Sequence, residues 1–515
     1  GRALEKHFGP GAFFKTDFST AELTVPAAGA LVGFLKDTQK RSMAHINRIQ
    51  FYLPGRFMNL DAATRRNLEL TRSISENTKK FTLLSVLDCT VTSMGGRMLR
   101  SWIEQPLLRQ EDIKSRLDAV DELVNEALSR RELREELKNI YDLERLAGKI
   151  SFGSASARDL VALKKSMLYL PVIKDLLSRA DSALLKKISD DIDIMEETRE
   201  LLSRAIDDEP PLSLRDGGII KTGFDPEVDR LRSAGSDARS MMAGLEERER
   251  RRTGIKSLKV GFNKVFGYYI EITRSNLDLA PEDYIRRQTL ANAERYITPE
   301  LKEYEDLVLG AQERLLHLEY KLFNDIREQL TVQIQRIQNS AAAVAGADAL
   351  HSLAEAASYN NYNRPEILND GRLIIRDGRH PVLEKVMGPG NFVPNDTDMD
   401  YTENRLLLIT GPNMAGKSTF MRQVAIIVLM AQVGSFVPAA EARITLVDRI
   451  FTRIGASDDI AGGQSTFMVE MNECRAIVSG ATEKSLIVLD EVGRGTSTYD
   501  GISIARALAE YIHQR

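Results

Sequence analysis

Cysteine is scarce in this chain, with only Cys89 and Cys474 among 515 residues. The two are far apart and neither has a second ligand at metal-binding spacing, which excludes a disulfide framework and a thiolate zinc site. We interpret both as buried thiols in a reducing compartment. The sequence also lacks an apolar run of about 18 residues, the length that crosses a membrane. Because residues 1–15 lack the pattern of a secretory signal, the sequence predicts a cytoplasmic protein without a membrane span.

A large excess of charge of one sign is also missing. The formal net charge is −4, which excludes nucleic-acid binding through a globally basic surface and leaves room only for a regional basic patch. At 515 residues and 57.6 kDa the chain is longer than one hydrophobic core usually supports. We therefore expect several domains.

Helical periodicity dominates the first part of the chain. Apolar residues three and four apart recur between residues 39 and 224, which predicts a helical core domain. Residues 1–38 contain only one short apolar helix, and we interpret them as the remnant of a connector domain. Residues 225–255 continue as one long helix with a narrow apolar stripe.

Between two long helical segments, the spacing of apolar residues changes from a helical to a strand-like period. Between residues 256 and 298, β-branched and aromatic residues are typical of a small β-rich domain. Thr298 and Pro299 then begin a helical region over residues 299–358, with Thr as the N-cap and Pro in the first turn. A helix of about 40 residues would be roughly 60 Å long. We interpret the pair as a lever with a small domain at its tip; the alternative is an antiparallel coiled coil that only holds the chain together.

Strand and helix patterns alternate over residues 359–515. The apolar runs that predict strands lie at residues 373–375, 406–409, 443–453 and 485–489. The helical patterns between them lie at residues 418–432 and 470–482. Such alternation indicates an α/β domain with a largely parallel sheet.

A phosphate-binding loop follows the apolar run at residues 406–409. The loop matches the pattern G-x-x-x-x-G-K-[ST] and consists of Gly411, Pro412, Asn413, Met414, Ala415, Gly416, Lys417 and Ser418. Its backbone N–H groups and the start of the next helix attract phosphate oxygens. Lys417 is expected to reach the β- and γ-phosphates of ATP in a catalytic role, and Ser418 to offer a hydroxyl to Mg²⁺. The alternative is a plain Gly-rich turn.

Two acids end the apolar run at residues 485–489. In this arrangement the first carboxylate orders Mg²⁺ and the second polarises the attacking water. We therefore assign Asp490 to the metal and Glu491 to the role of general base. Acids at a strand end can also be solvated charges only, but the phosphate-binding loop upstream favours the catalytic interpretation.

A second Gly/Ser-rich loop, at residues 462–470, also precedes a helix. It could hold an anion with its N–H groups. Because two helix N-termini of one subunit cannot easily hold the same nucleotide, we expect Ser465 to complete the site of a neighbouring subunit. The alternative is an ordinary Ser/Thr helix cap.

Basic residues concentrate at the tip of the lever. Residues 248–298 contain eleven Lys or Arg and six Asp or Glu, a net charge of +5 against −9 in the remainder. The candidate contacts to a DNA phosphate backbone are Lys264, Arg274, Arg286, Arg287, Gln288, Asn292 and Arg295. The alternative for the run at residues 248–252 is that it balances the dipole at a helix C-terminus.

These motifs together resemble the MutS family of DNA mismatch-repair ATPases, of bacterial type, over nearly the whole chain. The most specific stretches are residues 410–419, 465–470 and 490–498. Residues 57–61 are similar to the start of the family's core domain, and residues 267–272 and 284–299 are similar to its clamp. The clamp-like stretches separate the chain from ABC transporters, which share only the nucleotide chemistry.

The resemblance implies a multidomain, mainly α-helical fold. A helical core carries long lever helices, a small β-rich clamp (residues 256–298) is inserted between them, and an ABC-like α/β P-loop ATPase domain (residues 359–515) follows. The resemblance also implies a homodimer that closes around mispaired or looped duplex DNA, switched by ATP and Mg²⁺ from scanning to sliding, and a MutL-type partner. In the cell the protein would be cytoplasmic and nucleoid-associated.

Further site residues are implied by the resemblance alone. Thr419 would join the nucleotide-binding loop, and Phe392 would stack on the adenine. Ser465 and Thr466 would form the signature loop that completes the partner's site.

Two departures from the family pattern bear on these expectations. The family's mismatch-reading domain with its Phe-x-Glu wedge has no counterpart in these residues, and the family's Thr-His segment and C-terminal helices do not occur before Arg515. We expect a fragment of a longer protein. Two alternatives stay open: a non-catalytic DNA clamp that at most binds nucleotide, and a family relative that acts in recombination.

Overall fold

The computed structural model describes residues 2–8, 24–39, 46, 55–74, 78, 80–263, 267–388, 390–412, 414–455 and 466–514. Its internal contacts divide the chain into two units. The first comprises Gly1–Arg145, Ser166–Ile194 and Gln335–Arg515, and the second comprises Leu146–Lys165 and Met195–Ile334. Within the described ranges, no helix combines the length and the apolar character needed to cross a lipid bilayer.

Helices make up most of the described chain. In chain order they are α1 (Arg2–Phe8), α2 (Thr24–Gln39), α3 (Ala62–Asn67), α4 (Leu83–Leu87), α5 (Ser93–Glu104), α6 (Gln110–Asn125), α7 (Ala127–Leu137), α8 (Leu143–Ser151), α9 (Ala157–Ser178), α10 (Ala183–Asp191), α11 (Glu196–Ala205), α12 (Pro226–Thr253), α13 (Pro299–Thr331), α14 (Ile334–Asn360), α15 (Pro381–Met387), α16 (Lys417–Val433), α17 (Thr466–Gly480) and α18 (Thr498–Gln514). The mainly helical, multidomain prediction is confirmed.

The strands of the described residues form three small sheets. They are β1 (Lys259–Asn263), β2 (Gly267–Thr273), β3 (Ile285–Thr289), β4 (Ala293–Ile297), β5 (Glu366–Leu368), β6 (Leu373–Gly378), β7 (Asn395–Met399), β8 (Glu441–Thr445), β9 (Ile450–Arg453) and β10 (Leu486–Leu489). One sheet has the order β1-β2-β4-β3 and is antiparallel throughout. A second has the order β5-β8-β6-β7, and β9 pairs with β10 in parallel.

In the first unit, α16 runs into the hydrophobic core. From Val424 onward its sequence is apolar on all sides except at Gln432, and residues 423–433 are all buried. At its C-terminal end, Arg116 of α6 donates from Nη1 to the Val433 carbonyl at 2.8 Å. The Arg116 guanidinium also lies 3.7 Å from the centre of the Trp102 ring. Because a cation at a helix C-terminus complements the helix dipole, this contact anchors the far end of the helix that begins at the phosphate-binding loop.

In the second unit, the clamp sheet packs on the ends of α12 and α13. Ile270 and Ile272 of β2 are fully buried with Leu245 of α12 and Leu301 of α13 in one apolar cluster. The predicted cap of α13 is confirmed, since the Leu301 N–H donates to Thr298 Oγ1 at 3.1 Å. The sequence pattern of a β-rich insert between two long helices is therefore confirmed.

A buried carboxylate ties the two long helices of this unit to a neighbouring loop. Glu319 of α13 is fully buried, and it accepts the Gly218 N–H at 2.7 Å and pairs with Arg232 of α12 at 2.5 Å. A buried acid is stable only when it is paired or hydrogen-bonded in this way. These contacts fix the spacing of α12 and α13 at a point away from the sheet.

Two predictions about helices and strands are wrong in their length. The expected helix of about 40 residues is instead α13, which ends at Thr331, followed by α14 from Ile334. Thr331 and Val332 are β-branched neighbours, which lowers the helix propensity at the break. The single run at residues 443–453 is split into β8 and β9, because the Gln432 side chain bonds both the N–H and the carbonyl of Val447 at 3.0 Å.

The predicted strand at residues 406–409 and the largely parallel sheet are also wrong. Residues 406–409 carry no strand, and Leu408 is 89% exposed. An apolar run indicates a tendency to be buried, but a strand also needs a neighbour in register, and none pairs with this run in the described chain. The four-stranded sheet is mixed, because β6 runs antiparallel to both β7 and β8.

Candidate nucleotide-binding site and basic surface

The phosphate-loop pattern forms an exposed turn in front of a buried helix. Described residues 411, 412 and 414–416 are exposed, and Asn413 lies outside the described residues. Gly416 has φ 91°, a left-handed conformation that favours glycine, and α16 begins at the next residue. Since the first N–H groups of a helix have no partner within the helix, they are available to an anion held in this turn.

The Lys417 ammonium lies across the loop. Its Nζ donates to the carbonyls of Gly411 and Pro412, each at 2.8 Å. The side chain is therefore folded back over the turn that the glycines form, within the space where phosphate oxygens would lie. An ammonium satisfied by carbonyl dipoles can exchange them for phosphate oxygens, which carry full negative charge.

Ser418 and Asp490 are brought together from distant parts of the sequence. The Ser418 hydroxyl donates to Asp490 Oδ2, and Asp490 is 7% exposed. A hydroxyl and a carboxylate are hard oxygen donors of the kind that Mg²⁺ prefers, with its other positions taken by phosphates and water. In the described ranges no group of three or more His, Cys, Asp or Glu side chains could hold a metal. The residues present thus fit a phosphate-bridged Mg²⁺ and not an all-protein metal site.

Asp490 and Glu491 stand at the carboxyl end of the parallel pair β9 and β10. The Asp490 N–H donates to the Arg453 carbonyl at 2.7 Å, which extends the pairing one residue beyond Leu489. The chain then turns, because Glu491 has φ 55°, an uncommon value for a residue with a side chain. The Glu491 carboxylate lies 2.6 Å from Arg494 Nη1 and is about one third exposed. The carboxyl end of parallel strands is the usual place for ligands in α/β sheets.

The other residues predicted for the nucleotide site belong to α16, to the segment between α15 and β7, and to the start of α17. Thr419 is half-buried in the first turn of α16, and Phe392 is half-buried between α15 and β7. Thr466 is the first residue of α17. Ser465, together with residues 456–464, lies outside the described residues.

The clamp sheet presents exposed cations on its edge strand β3. The pairing of β3 with β4 shifts between Arg286 and Gln288, so Arg287 lies in a β-bulge. Bulges on edge strands redirect side chains and interrupt further strand pairing. In the described chain, the exposed side chains of Arg287 and Arg274 form no ion pair, and Arg286 has only a 3.5 Å contact with Glu294.

Other candidates at the tip already have partners. The Arg295 guanidinium lies 3.0 Å from Glu271, donates to Gln288 Oε1 at 3.0 Å and stacks 4.0 Å from the centre of the Tyr269 ring. Asn292 is exposed, and Lys264 lies outside the described residues. The basic run at residues 248–252 ends α12, where each arginine pairs with an acid. These pairs support the helix-end interpretation of that run.

Sequence analysis missed a buried arginine beside the acids of the nucleotide site. Arg453 ends β9, is 3% exposed, and lies 3.3 Å from both Glu470 and Glu473 of α17. The only sequence signal was a charge directly after an apolar strand. Its partners could not be predicted because they belong to another helix.

An exposed Gly-rich turn before a buried helix, with Ser418 against Asp490, defines the class of P-loop nucleotide-binding proteins. Sequence comparison then identifies the family. The family model for MutS domain III matches residues 63–354, and that for MutS domain V matches residues 407–515. The chain belongs to the MutS family.

Curated relatives match nearly the whole chain. A protein of Pelotomaculum thermopropionicum named DNA mismatch repair protein MutS is 67% identical over 514 residues, which is 100% of this chain and 60% of the relative. Proteins with the same name from Alkaliphilus oremlandii and Symbiobacterium thermophilum are 58% and 54% identical, over 96% and 100% of this chain and 56% and 59% of the relatives. The chain thus spans less than two thirds of their length.

Proposed function

We propose that this chain binds Mg·ATP in the loop at residues 411–418 and hydrolyses it. The observation that carries the proposal is the contact of Ser418 with Asp490, beside Lys417 at the start of α16. It joins the phosphate-binding loop to the acids at the end of β10. The family membership supports the same activity.

Each residue of the site has a separate role in this proposal. The N–H groups of the loop and of the first turn of α16 bind phosphate oxygens. Lys417 leaves its carbonyl partners for the β- and γ-phosphates. Ser418 and Asp490 would hold Mg²⁺, which neutralises charge that develops on the phosphates. Glu491 accepts the proton of the attacking water, and the ion pair with Arg494 holds its carboxylate in place.

We further propose that the clamp binds the backbone of duplex DNA. The contacts would come from Arg274, Arg286, Arg287, Asn292 and Lys264, because phosphates are bound by exposed cations and polar side chains. Arg295 and Gln288 are the weaker candidates, since both already bond within the sheet. We assign them mainly to holding β3 against β4.

The wider role that we propose is DNA mismatch repair, the process after which the relatives are named. In the parent protein two subunits would close around mispaired or looped DNA. Ser465 and Thr466 of one subunit would complete the other's site, and Phe392 would stack on the adenine. Nucleotide exchange would then switch the DNA-bound state and recruit a MutL-type partner in the bacterial cytoplasm.

Turnover of Mg·ATP by the chain and by Glu491→Gln tests the catalytic part. We expect turnover to fall about 10²- to 10⁴-fold while ATP affinity is retained, because the substitution removes a general base and leaves the loop intact. Glu483→Gln, at an exposed position before β10, is the matched control. Turnover that is unchanged in Glu491→Gln would refute the assignment, and ATP binding without turnover in the wild type would favour a non-catalytic clamp.

Competition between DNA substrates tests the wider role. The parent protein should prefer a mismatched duplex to a perfect duplex and to a four-way junction. A strong preference for the junction would replace mismatch repair with a role in recombination.

A further inference from the structure

A buried cluster of charges lies directly behind Asp490 and Glu491. Arg453 is 3% exposed, and its Nη2 lies 3.3 Å from Glu470, which is 2% exposed. Arg453 Nε lies 3.3 Å from Glu473, and its Nη1 donates to the Gly455 carbonyl at 2.6 Å. One guanidinium therefore holds the end of β9 against two successive acids on one face of α17.

The same cluster fixes the turn after β10 from two sides. The Asp490 N–H is bound by the carbonyl of Arg453 at 2.7 Å. The Gly493 N–H is bound by the carboxylate of Glu470. The turn between them contains two left-handed residues, Glu491 with φ 55° and Gly493 with φ 89°. Backbone in this conformation persists only when the surroundings hold it.

The cluster continues to the helical core of the same unit. Glu473 also lies 3.5 Å from Arg66 of α3. On the free edge of β9, Thr64 of α3 accepts the Thr452 N–H and donates to the Ile450 carbonyl, both at 3.2 Å. Asn67 donates to the Thr452 carbonyl at 3.1 Å. A helix thus takes the place of a neighbouring strand along β9.

Stability alone does not account for such a cluster. Burying an arginine with two carboxylates costs desolvation free energy that the ion pairs only partly recover, so apolar residues would often be as stable. The burial of Glu473 raises the pKa of its carboxyl group, and the charges of Arg453 and Arg66 oppose that shift. Apolar side chains in place of Arg453 and Glu470 could not bind the Gly493 N–H, and so could not fix the turn after β10 relative to α17 and β9.

We propose that Arg453 is a positioning residue that sets the place of Asp490 and Glu491 by locking α17, through Glu470, to the turn after β10. The proposal rests on the proposed hydrolysis of ATP at this site. It follows that a displacement of α17, whose first residue ends the predicted signature loop, moves the turn that carries Glu491. The contacts that would transmit this displacement are those of Arg453 with Glu470 and of Glu470 with the Gly493 N–H.

The test compares Arg453→Met, Arg453→Lys and Glu470→Gln in the full 515-residue chain. One readout is amide hydrogen exchange of peptides from residues 486–497, which reports the hold on the turn without requiring nucleotide. The second readout is the affinity for ATP, measured once with Mg²⁺ and once with a chelator that removes it. Arg130→Met is the matched control, since Arg130 is a buried arginine that lies 3.0 Å from Glu355 in the helical core.

We expect exchange in these peptides to rise about tenfold or more in Arg453→Met and less in Arg453→Lys, which keeps the charge. ATP affinity should fall about tenfold with Mg²⁺ and stay within about twofold in the chelator, because Asp490 would contribute to nucleotide binding through Mg²⁺. Arg130→Met should lower the unfolding temperature without either change. If Arg453→Met does not fold, the isosteric Glu470→Gln decides by the same readouts.

Exchange within about twofold of the wild type in Arg453→Met or Glu470→Gln would overturn the proposal. Failure of the wild type to bind Mg·ATP would instead refute the proposed function, and the exchange result would still decide whether Arg453 holds the turn.

Discussion

Two arginines show how differently the nucleotide site and the clamp use the same side chain. Arg453 is 3% exposed and lies between two acids of α17, whereas Arg287 is exposed on a β-bulge and forms no ion pair in the described chain. In the first unit the charges around Asp490 are paired and buried. On the edge strand β3 of the clamp, Arg286 and Arg287 are exposed to solvent.

The difference follows from the chemistry that each region is proposed to perform. A phosphoryl-transfer site needs groups held in place before the reaction, because catalysis depends on preorganised charge. A surface that binds any duplex needs only mobile cations that displace counterions from phosphates. Changes of shape should therefore be most damaging at the nucleotide site, and changes of charge should act gradually at the clamp.

The largest expected effect is on stability, at Gly493. A Cβ there would lie 2.5 Å from the Gly501 carbonyl oxygen and 2.7 Å from its Cα, and the residue has φ 89°. Gly493→Ala should lower the free energy of unfolding of the first unit by roughly 2–5 kcal/mol, from backbone overlap and left-handed strain. Denaturant unfolding measures this loss.

A matched glycine in the second unit sharpens the comparison. Gly310 lies within α13, and a Cβ there would meet no atom within 4 Å. Gly310→Ala should be neutral or stabilising by up to about 1 kcal/mol, because alanine has the higher helix propensity. Equal losses in the two variants would remove the distinction between the regions.

The next effect concerns nucleotide affinity. Lys417→Met should weaken ATP binding about 10- to 100-fold, since it removes charge-assisted hydrogen bonds to phosphate and leaves the loop backbone in place. Equilibrium binding with Mg²⁺ measures the change, and Lys484→Met, at an exposed position of the same unit, is the control. DNA affinity of Lys417→Met without nucleotide should match the wild type; a parallel loss would show that the two sites are not separate.

Acid should destabilise the first unit through its buried histidines. Burial lowers the pKa of His351 and of His380 to about 4, and in the described chain neither ring nitrogen of His351 has a hydrogen-bond partner. The unfolded chain binds the proton near pH 6.5, so stability is lost as pH falls from about 6.5 towards 4. Going from pH 8 to 5 should cost about 2 kcal/mol for each histidine.

His351→Phe isolates this effect, because it replaces the titrating ring with a planar ring that cannot bind a proton. The loss of stability between pH 8 and 5 should be smaller by about 2 kcal/mol in this variant. His317→Phe, on the exposed surface of α13, is the control. An unchanged pH dependence in His351→Phe would mean that this histidine is not held neutral.

The smallest effects for single residues are expected at the clamp. Replacing Arg274, Arg286 and Arg287 by Gln should lower duplex affinity about tenfold or more in total and reduce the slope of log K against log salt by about one for each lost phosphate contact. Arg251→Gln is the control, because Arg251 is exposed but paired with Glu247. If the slope of log K against log salt does not change in this variant, the DNA does not bind at these three arginines.

Local features of the fold could be predicted from the sequence. The cap at Thr298, the β-rich insert and the helix after the phosphate-binding loop depend on neighbouring residues, and the structure confirms them. Ser418 and Asp490, which the sequence assigns to one metal, lie in hydrogen-bond contact, and the metal itself stays a prediction.

Features that depend on distant partners could not be predicted. Thr64 and Asn67 bond to β9 almost 400 positions later in the chain, and no local pattern marks them. The same holds for the split of residues 443–453, which depends on Gln432. It also holds for residues 406–409, where an apolar run predicts a strand that the structure does not form. Hydrophobic periodicity predicts burial but does not identify the partner.

The most direct test of the central claim is Mg·ATP turnover by this chain, with and without duplex DNA and over a range of protein concentration. We predict turnover that requires Mg²⁺ and Glu491 and that rises with concentration faster than linearly, because a second copy would supply Ser465 in the proposed dimer. Absence of turnover at every concentration would contradict the account, even if ATP still bound.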